Sequence, residues 1–150
     1  VKQLAKDNGI SLLSEANSLS VMADKTRLKQ VLINVLTNAI KYNRAGGSVT
    51  LRCRSLQGNR VQISILDTGV GMSRVDQATI FDTLTRLKYA EEKQIDGSGI
   101  GLSLCQSLLA EMKGSISVES EVDVGSTFHI TLPLSQIEQD SAPSKNPTVI

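Results

Sequence analysis

Four polar side chains recur at short intervals in the segment Asn34-Val-Leu-Thr-Asn38-Ala-Ile-Lys41-Tyr42. In a helix, such spacing places them on one face. The Asn38 amide oxygen is a hard ligand suited to Mg²⁺, which keeps several waters and binds substrate phosphates. Lys41 could neutralise phosphate charge, and Tyr42 could cover a base. A solvated helix face is the alternative, although asparagine is a poor residue for a helix interior.

A carboxylate, Asp67, follows an apolar run and precedes two spaced glycines, Gly69 and Gly71. Burying this carboxylate without a hydrogen-bond donor would cost roughly 1–3 kcal/mol or more. The exocyclic amine of a purine is one group that could supply the donor. The alternative is an aspartate that only forms a turn.

Three glycines, Gly97, Gly99 and Gly101, lead into an apolar helical pattern that begins at Leu102. The free backbone N–H groups of a helix N-terminus favour an anion such as a phosphate. The glycine spacing differs from the dinucleotide-binding fingerprint, and no Gly-Lys-Ser/Thr follows as in a Walker loop. A flexible loop with an ordinary helix entry is the alternative.

Two further charged or titratable residues stand outside these groups. Arg86 lies in the aperiodic segment 82–97, whose length is typical of a functional or mobile loop. It could reach a phosphate, or it could be a surface arginine. His129 lies in the last predicted strand, and we expect a structural or surface role rather than a nucleophile.

A long amphipathic helix, Asp24 to Asn43, is predicted to carry the first polar group. Its other stripe is apolar, and Asp24 is a suitable N-cap. Alternating residues predict a β-hairpin around Gln57–Asn59, with one buried face.

Shorter elements complete the pattern. Predicted strands run from Ile10 to Ala16, from Leu19 to Ala23, and around Ile116 and Val118. We expect Ser73 to cap a short helix through Ile80, and Gly114 to end the helix that starts near Gly101. Gly125-Ser126-Thr127 is predicted to turn into a final strand that Pro133 closes.

This order, β-β-α-β-β-α-lid-α-β-β, predicts an α+β fold with a mixed, mainly antiparallel sheet covered by helices on one face. We expect residues 1–9 to be a linker or the end of a preceding helix, residues 10–134 to be the domain, and residues 135–150 to be a flexible tail.

Composition excludes several function classes. The 150 residues carry a net charge of +1, which gives no general attraction to nucleic acid or anionic membrane. No apolar run approaches the roughly 20 residues of a membrane span. Cys53 and Cys105 lack metal-ligand spacing, so we expect free, buried thiols rather than a disulfide. Because the chain begins at Val1, we expect it to be a fragment.

Taken in order, these motifs resemble the catalytic ATP-binding domain of bacterial sensor histidine kinases, in the gyrase/Hsp90/histidine-kinase/MutL superfamily. The segment Asn34 to Tyr42 resembles the N box, and Asp67 to Gly71 the first glycine box. Ile80 to Arg86 resembles the F box, and Gly97 to Leu102 the second glycine box. Gly125 to Phe128 resembles the closing motif. Where the F box usually has a second phenylalanine, this chain has Leu84.

The resemblance implies a two-layer α/β sandwich, the Bergerat fold, with ATP between the N-box helix and a mobile lid. It implies that Asp67 takes the adenine amine, that Asn38 binds Mg²⁺ and that Tyr42 lies beside the adenine. The remaining implied contacts fall into three groups: Asn34, Lys41 and Arg86 at the phosphates or their metal; Gly69, Gly71, Gly97, Gly99, Gly101 and Leu102 in the two glycine boxes; and Ser126 as a support of the adenine site.

Asn34 separates two classes within that superfamily. The hydrolase branches carry a glutamate four residues before the metal-binding asparagine, and an amide cannot replace it as a base near neutral pH. The resemblance therefore implies phosphoryl transfer to a histidine on a separate dimerisation domain, in a cytoplasmic two-component pathway with a downstream response regulator. We expect no nucleic-acid partner and a monomeric fragment. A protein-serine kinase of the anti-sigma-factor type, or a nucleotide-binding module without catalysis, is the alternative.

Overall fold

The structure is a computed structural model that describes residues 1–16, 18–82 and 101–135. Within those ranges the chain forms four helices and five strands. The elements are α1 (Lys2–Asp7), β1 (Ser11–Ala16), α2 (Lys25–Lys41), β2 (Ser48–Leu56), β3 (Arg60–Asp67), α3 (Arg74–Thr79), α4 (Gly101–Glu111), β4 (Ser115–Glu121) and β5 (Gly125–Pro133). The predicted α+β class is confirmed.

The five strands form one sheet in the order β1-β2-β3-β5-β4. β1 pairs with β2 in parallel, because the chain crosses between them through α2, and the other three pairs are antiparallel. The sheet is therefore mixed and mainly antiparallel, as predicted. Its order places β3 between β2 and β5, so the strand that ends at Asp67 is paired on both sides.

One face of the sheet packs against the helices. Alternate residues of β3 and β5 are buried there and form one aliphatic core with the apolar stripes of α2 and α4. The fully buried large side chains of this core are Ile40, Ile65, Leu102, Leu109, Ile130, Leu132, Val31, Val35, Val49 and Val61. Each contributes roughly 1.5–3 kcal/mol relative to an exposed position. The opposite face is polar and includes the exposed Arg52.

The long helix was predicted almost to its ends. Asp24 is the N-cap of α2, and its Oδ1 accepts a hydrogen bond of 2.8 Å from the Arg27 N–H. The predicted apolar stripe is buried at Leu28, Val31, Val35, Ala39 and Ile40. The hairpin is also confirmed, and both Gly58 and Asn59 adopt positive φ in its turn.

The predicted strand from Leu19 to Ala23 is wrong. Among the described residues of that segment, only Val21 forms a β-bridge, an isolated one with Leu134. Leu19, Val21 and Ala23 instead pack against the core from the side. Strand propensity reflects a fit to a half-buried pleated surface, and here the tertiary context supplies no full-length neighbour to pair with.

Two glycines, Gly125 and Gly114, have roles that differ from those predicted. Gly125-Ser126-Thr127 is already part of β5, and the turn lies before it, with Asp123 at φ 67°. At the end of α4, Lys113 takes the left-handed conformation, at φ 56°, while the Gly114 N–H donates to the Leu109 carbonyl. A Cβ on Gly114 would lie 2.7 Å from the Thr131 carbonyl oxygen, so the close approach to β5 explains this glycine.

The remaining sequence predictions concern the cysteines, membrane-spanning helices, the lid and the C-terminal tail. Both cysteines are free thiols, as predicted; Cys105 is buried and Cys53 is half-buried. Within the described ranges, none of the helices has the length and apolar character needed to cross a bilayer. The predicted lid, Leu84, and residues 136–150 of the predicted tail lie outside those ranges.

The N-cap of α2 gives a direct test of the fold. Replacing Asp24 by alanine removes the acceptor of a free N–H in the first turn, so the free energy of unfolding should fall by about 0.5–2 kcal/mol. Asp24→Asn keeps a side-chain oxygen at the same position and should retain most of the stability. Urea denaturation measures both values. Equal losses in the two variants would show that the cap hydrogen bond contributes nothing.

Candidate functional site

The polar face of α2 lies in its C-terminal half. Asn34, Asn38 and Tyr42 are half-buried, whereas Lys41 is exposed. Tyr42 is the C-cap residue, and the Lys41 ammonium lies 6.0 Å from the centre of its ring. That distance permits a cation–π contact. These four residues therefore present an amide, a cation and an aromatic ring along one edge of the helix layer.

Asn34 reaches across to α4. Its Nδ2 donates to the Cys105 Sγ at 3.6 Å, and the Cys105 thiol donates to the Val31 carbonyl at 3.9 Å. Burial raises the pKa of the Cys105 thiol, which therefore stays protonated at neutral pH. A Cβ on Gly101, the first residue of α4, would lie 3.9 Å from the Asn34 amide. The polar face of α2 thus adjoins the N-terminal end of α4, where the helix dipole is positive.

Asp67 ends β3 on the helix-covered face, two residues beyond the buried Ile65. Its Oδ1 accepts hydrogen bonds from the Gly69 N–H at 2.8 Å and the Ser126 N–H at 3.2 Å. No described residue donates to Oδ2, which leaves an acceptor for a ligand. Burial raises the pKa of this carboxyl, and the two backbone hydrogen bonds offset part of that increase.

The glycine at position 69 is required by a close approach of two backbones. A Cβ there would overlap the Tyr42 carbonyl oxygen and lie 2.8 Å from the Asp67 Oδ1. The next residue, Val70, donates its N–H to the same Tyr42 carbonyl at 3.1 Å. This bond satisfies one of the carbonyls that the end of α2 leaves free. The loop after Asp67 is therefore held against the C-terminus of the helix that carries Asn34 and Asn38.

Gly71 makes a second close approach, on the other side of that loop. It has φ 66°, and a Cβ there would overlap the Glu121 carbonyl oxygen at the end of β4. Asp123, in the β4–β5 turn, donates its N–H to the Val70 carbonyl at 2.8 Å. Arg44 pairs with the Asp123 carboxylate at 2.8 Å, although both side chains are well exposed. The loop 68–71 thus lies between α2 and the β4–β5 turn and contacts both through backbone atoms.

Two groups of supporting residues escaped the sequence analysis. In the first, Asn43 donates to the Ser48 carbonyl at 3.0 Å and accepts from the Thr68 hydroxyl at 3.2 Å. Thr68 in turn accepts from the Ser48 N–H at 2.9 Å. The position of Thr68 between Asp67 and Gly69 was a signal for this role. Asn43 was assigned only to the end of the helix.

In the second group, Gln77 joins α3 to the edge of β4. Its amide donates to the Ser120 carbonyl at 2.9 Å, and the Ser120 N–H donates to its Oε1 at 3.1 Å. It also donates to the Met72 carbonyl at 3.1 Å. The side-chain amide therefore pairs with the edge strand as a neighbouring strand would. A glutamine on a short helix gives no sequence signal for this contact.

The structure brings together part of the predicted site. Asp67, Gly69, Gly71, Tyr42 and Ser126 meet around the loop after β3, while Asn34 and Gly101 meet at the start of α4. Leu102 is only 1% exposed and packs in the core, so a nucleotide contact by its side chain is not supported. Arg86, Gly97 and Gly99 lie outside the described residues.

The opposite face of the sheet holds a different group. Ser64 and the His129 Nδ1 are 2.9 Å apart, and the His129 Nε2 lies 3.8 Å from a Glu119 carboxylate oxygen. The predicted structural role of His129 fits this pairing. A depression of about 500 Å³ opens nearby, and Thr50, Leu66, Asp67, Ser120 and Ser126 are among the residues that line it. Because Asp67 follows the parity of the core residues of β3, we place the candidate site on the helix-covered face.

Residues 23–136 match the family described as histidine kinase-, DNA gyrase B- and HSP90-like ATPase. The chain is 45% identical over 115 residues to the adaptive-response sensory kinase SasA of Synechococcus elongatus, covering 77% of the chain and 29% of that relative.

Two solved structures share the fold. The full-length kinase ShkA in complex with AMPPNP has a TM-score of 0.76 at 31% identity, covering 89% of this chain and 27% of that one. The catalytic domain of the histidine kinase ThkA has a TM-score of 0.74 at 27% identity, covering 88% of this chain and 85% of that one. The chain spans less than a third of the length of SasA and of full-length ShkA.

The raised pKa of Asp67 predicts how stability depends on pH. Because the folded-state pKa lies above the unfolded one, the folded state is favoured while the carboxyl is protonated. That contribution is lost as pH rises through the folded-state pKa. Asp67→Asn keeps an acceptor oxygen and carries no charge. The free energy of unfolding of Asp67→Asn, minus that of the unaltered protein, should therefore increase as pH rises from about 3 to about 6, around the ordinary aspartate pKa.

Urea denaturation of both proteins across that range measures the effect. Asp7→Asn is the matched control, since Asp7 is an exposed residue of α1. A difference between Asp67→Asn and the unaltered protein that shrinks as pH rises would contradict the role of burial at Asp67.

Proposed function

The chain belongs to the histidine kinase-, DNA gyrase B- and HSP90-like ATPase family, and from that premise we propose that it binds Mg-ATP and donates the γ-phosphate to a histidine on a separate dimerisation domain. The observation that carries the proposal is the half-buried Asp67, whose Oδ1 is held by two backbone N–H groups and whose Oδ2 is left to accept from a ligand. A 6-aminopurine offers such a donor.

Adenine recognition is supported by the surroundings of Asp67. The Gly69 backbone passes directly over the Tyr42 carbonyl, so the Asp67 carboxylate and the Tyr42 backbone belong to one packed unit. We propose that Asp67 accepts from the exocyclic amine, that Tyr42 lies beside the base, and that Ser126 and the backbone at Gly69 and Gly71 complete the pocket. The AMPPNP bound by ShkA, a relative in fold and sequence, supports an adenine nucleotide here.

The phosphate end is proposed for the polar face of α2 between Asn34 and Lys41 and for the start of α4. Asn34 and Gly101 adjoin there, and the N–H groups of the first turn of α4 favour an anion. We propose that Lys41 and Asn34 contact the phosphates, with Arg86, Gly97, Gly99 and the backbone of Leu102. Charge stabilisation and positioning are the main means of catalysing phosphoryl transfer.

Asn38 fits the magnesium site that we propose. Among residues 1–16, 18–82 and 101–135, no group of three or more His, Cys, Asp or Glu side chains could hold a metal ion. An ion bound mainly by nucleotide phosphates and water needs few protein ligands, and a half-buried amide oxygen on α2 is a suitable one. When bound, Mg²⁺ would neutralise charge on the phosphates.

Transfer rather than hydrolysis is supported by Asn34. Its amide has no useful proton affinity near neutral pH and therefore cannot activate water as a base. One Nδ2 proton is donated to the Cys105 sulfur, and the second can be donated to a phosphate oxygen. The name of ThkA, a histidine kinase, favours a histidine acceptor over a serine acceptor. We propose a dimerisation domain of the same kinase and a response regulator as partners of a cytoplasmic, monomeric domain.

Base reading by Asp67 is tested by calorimetry with a non-hydrolysable ATP analogue and Mg²⁺. Asp67→Asn replaces a carboxylate by an amide that binds the exocyclic amine more weakly, so affinity should fall about tenfold to a hundredfold. Asp7→Asn removes the same charge far from the site and should bind normally. Retained affinity in Asp67→Asn would remove this residue from the base-reading role, and no binding by the unaltered protein would refute the proposed function.

The chain should not phosphorylate itself. His129 is its single histidine, and it lies on the sheet face opposite the proposed site, paired with Ser64 and near Glu119. Incubation with Mg²⁺ and radiolabelled ATP should leave the protein unlabelled. Adding a dimerisation hairpin with an acceptor histidine should give label on that hairpin alone. Acid-labile phosphate on His129 would contradict the proposed division of roles.

A further inference from the structure

The Ser120 hydroxyl lies at the centre of three hydrogen bonds behind the proposed adenine pocket. It accepts from the Met72 N–H at 2.8 Å and donates to the Gly125 carbonyl at 2.9 Å. Its third neighbour is the Ser126 hydroxyl, also at 2.9 Å. Ser120 and Ser126 are paired residues of β4 and β5, on the face that carries Asp67.

The direction of the bond between the two serines follows from counting protons. A hydroxyl has one proton and two acceptor lone pairs. A backbone N–H can only donate, so Met72 occupies one lone pair of Ser120. A carbonyl can only accept, so Gly125 takes the single proton of Ser120. The arrangement that satisfies all three contacts at once has the Ser126 hydroxyl donating its own proton to the second lone pair of Ser120.

This arrangement determines whether the Ser126 hydroxyl donates or accepts a hydrogen bond at the proposed pocket. With its proton committed to Ser120, the Ser126 hydroxyl can only accept from a ligand. Asp67, its cross-strand partner, is a carboxylate and also only accepts, and the Ser126 N–H is already bonded to the Asp67 Oδ1. Both side chains therefore favour a ligand edge that presents donors, and both disfavour a carbonyl oxygen.

We propose that Ser120 is a positioning residue that makes Ser126 an acceptor and thereby favours a 6-aminopurine over a 6-oxopurine. The inference rests on the proposed function, because it concerns the same nucleotide site. Ser120 acts through Ser126 and the backbone at Gly125 and Met72.

Gln77 keeps Ser120 in place. Its side-chain amide bonds both the N–H and the carbonyl of Ser120, so the backbone that carries the hydroxyl is held in two directions. The same amide bonds the Met72 carbonyl, while the Met72 N–H donates to the Ser120 hydroxyl. Helix α3, the loop after Asp67 and the edge of β4 are thereby fixed relative to one another.

The test compares affinities for ATP and inosine triphosphate, which differ at the purine 6-position. Ser120→Thr and Ser120→Val are a matched pair, since both are β-branched and only threonine keeps the hydroxyl. In Ser120→Val the Ser126 proton becomes free to donate to the inosine oxygen. The ratio of ATP to inosine triphosphate affinity should therefore fall about tenfold, the consequence of one misdirected hydrogen bond. Ser120→Thr should keep the original ratio.

Ser117→Val controls for the same change elsewhere in β4, because Ser117 is exposed on the opposite face. Displacement of a fluorescent ATP analogue gives both affinities, and circular dichroism confirms that each variant is folded. Equal ratios in Ser120→Val and Ser120→Thr, or an equal loss of both affinities in Ser120→Val, would overturn the role of Ser120. An unaltered protein that binds neither nucleotide, or both equally, would instead overturn the proposed base recognition.

Discussion

The arrangement of the candidate site depends on one steric constraint, the passage of the loop 68–71 past the end of α2. At Gly69 the loop backbone comes so close to the Tyr42 carbonyl that no side chain fits between them. The same carbonyl receives the Val70 N–H, which completes the C-terminus of the helix. The strand that ends at Asp67 and the helix that carries Asn34 and Asn38 are therefore fixed to each other through backbone atoms.

The same packing buries Asp67 and thereby raises the free energy of its ionised form. Burial disfavours its charged form, and two backbone N–H groups recover only part of the loss. A purely structural turn aspartate would be better placed in water. Groups whose pKa is shifted by burial cluster at functional sites. The half-buried carboxylate is thus the feature that best separates a binding site from a well-packed corner of the fold.

Sequence reasoning recovered the features that depend on local pattern. The cap at Asp24, the buried stripe of α2 and the hairpin around Gly58 follow from periodicity and turn chemistry, and all three are present. The strand at Leu19 to Ala23 failed because pairing depends on a neighbour that the local sequence does not specify. Gly114 was placed correctly at a helix end, but its requirement is contact with β5, which a linear pattern cannot show.

Within the candidate site, the sequence pointed to residues that we propose contact a ligand, and it gave no sign of the residues that hydrogen-bond to them. Asp67 stood out because a carboxylate followed a buried strand. Ser120 and Gln77 are ordinary polar residues in sequence, and their importance comes from three-dimensional hydrogen bonding across α3, β4 and β5. The direction of a hydroxyl proton depends on every neighbour at once, so only the assembled structure determines it.

The topology of the sheet also has a mechanical consequence. β1 is an edge strand whose only sheet partner among the described residues is β2, and the chain joins the two through α2. The β2–β3 hairpin closes locally, whereas the β1–β2 pairing must enclose an entire helix and carries the larger loop-closure entropy. A tension applied at Val1 would therefore load α1 and β1 first. β3 is paired with both β2 and β5, so it would keep Asp67 in register while β1 separates from β2.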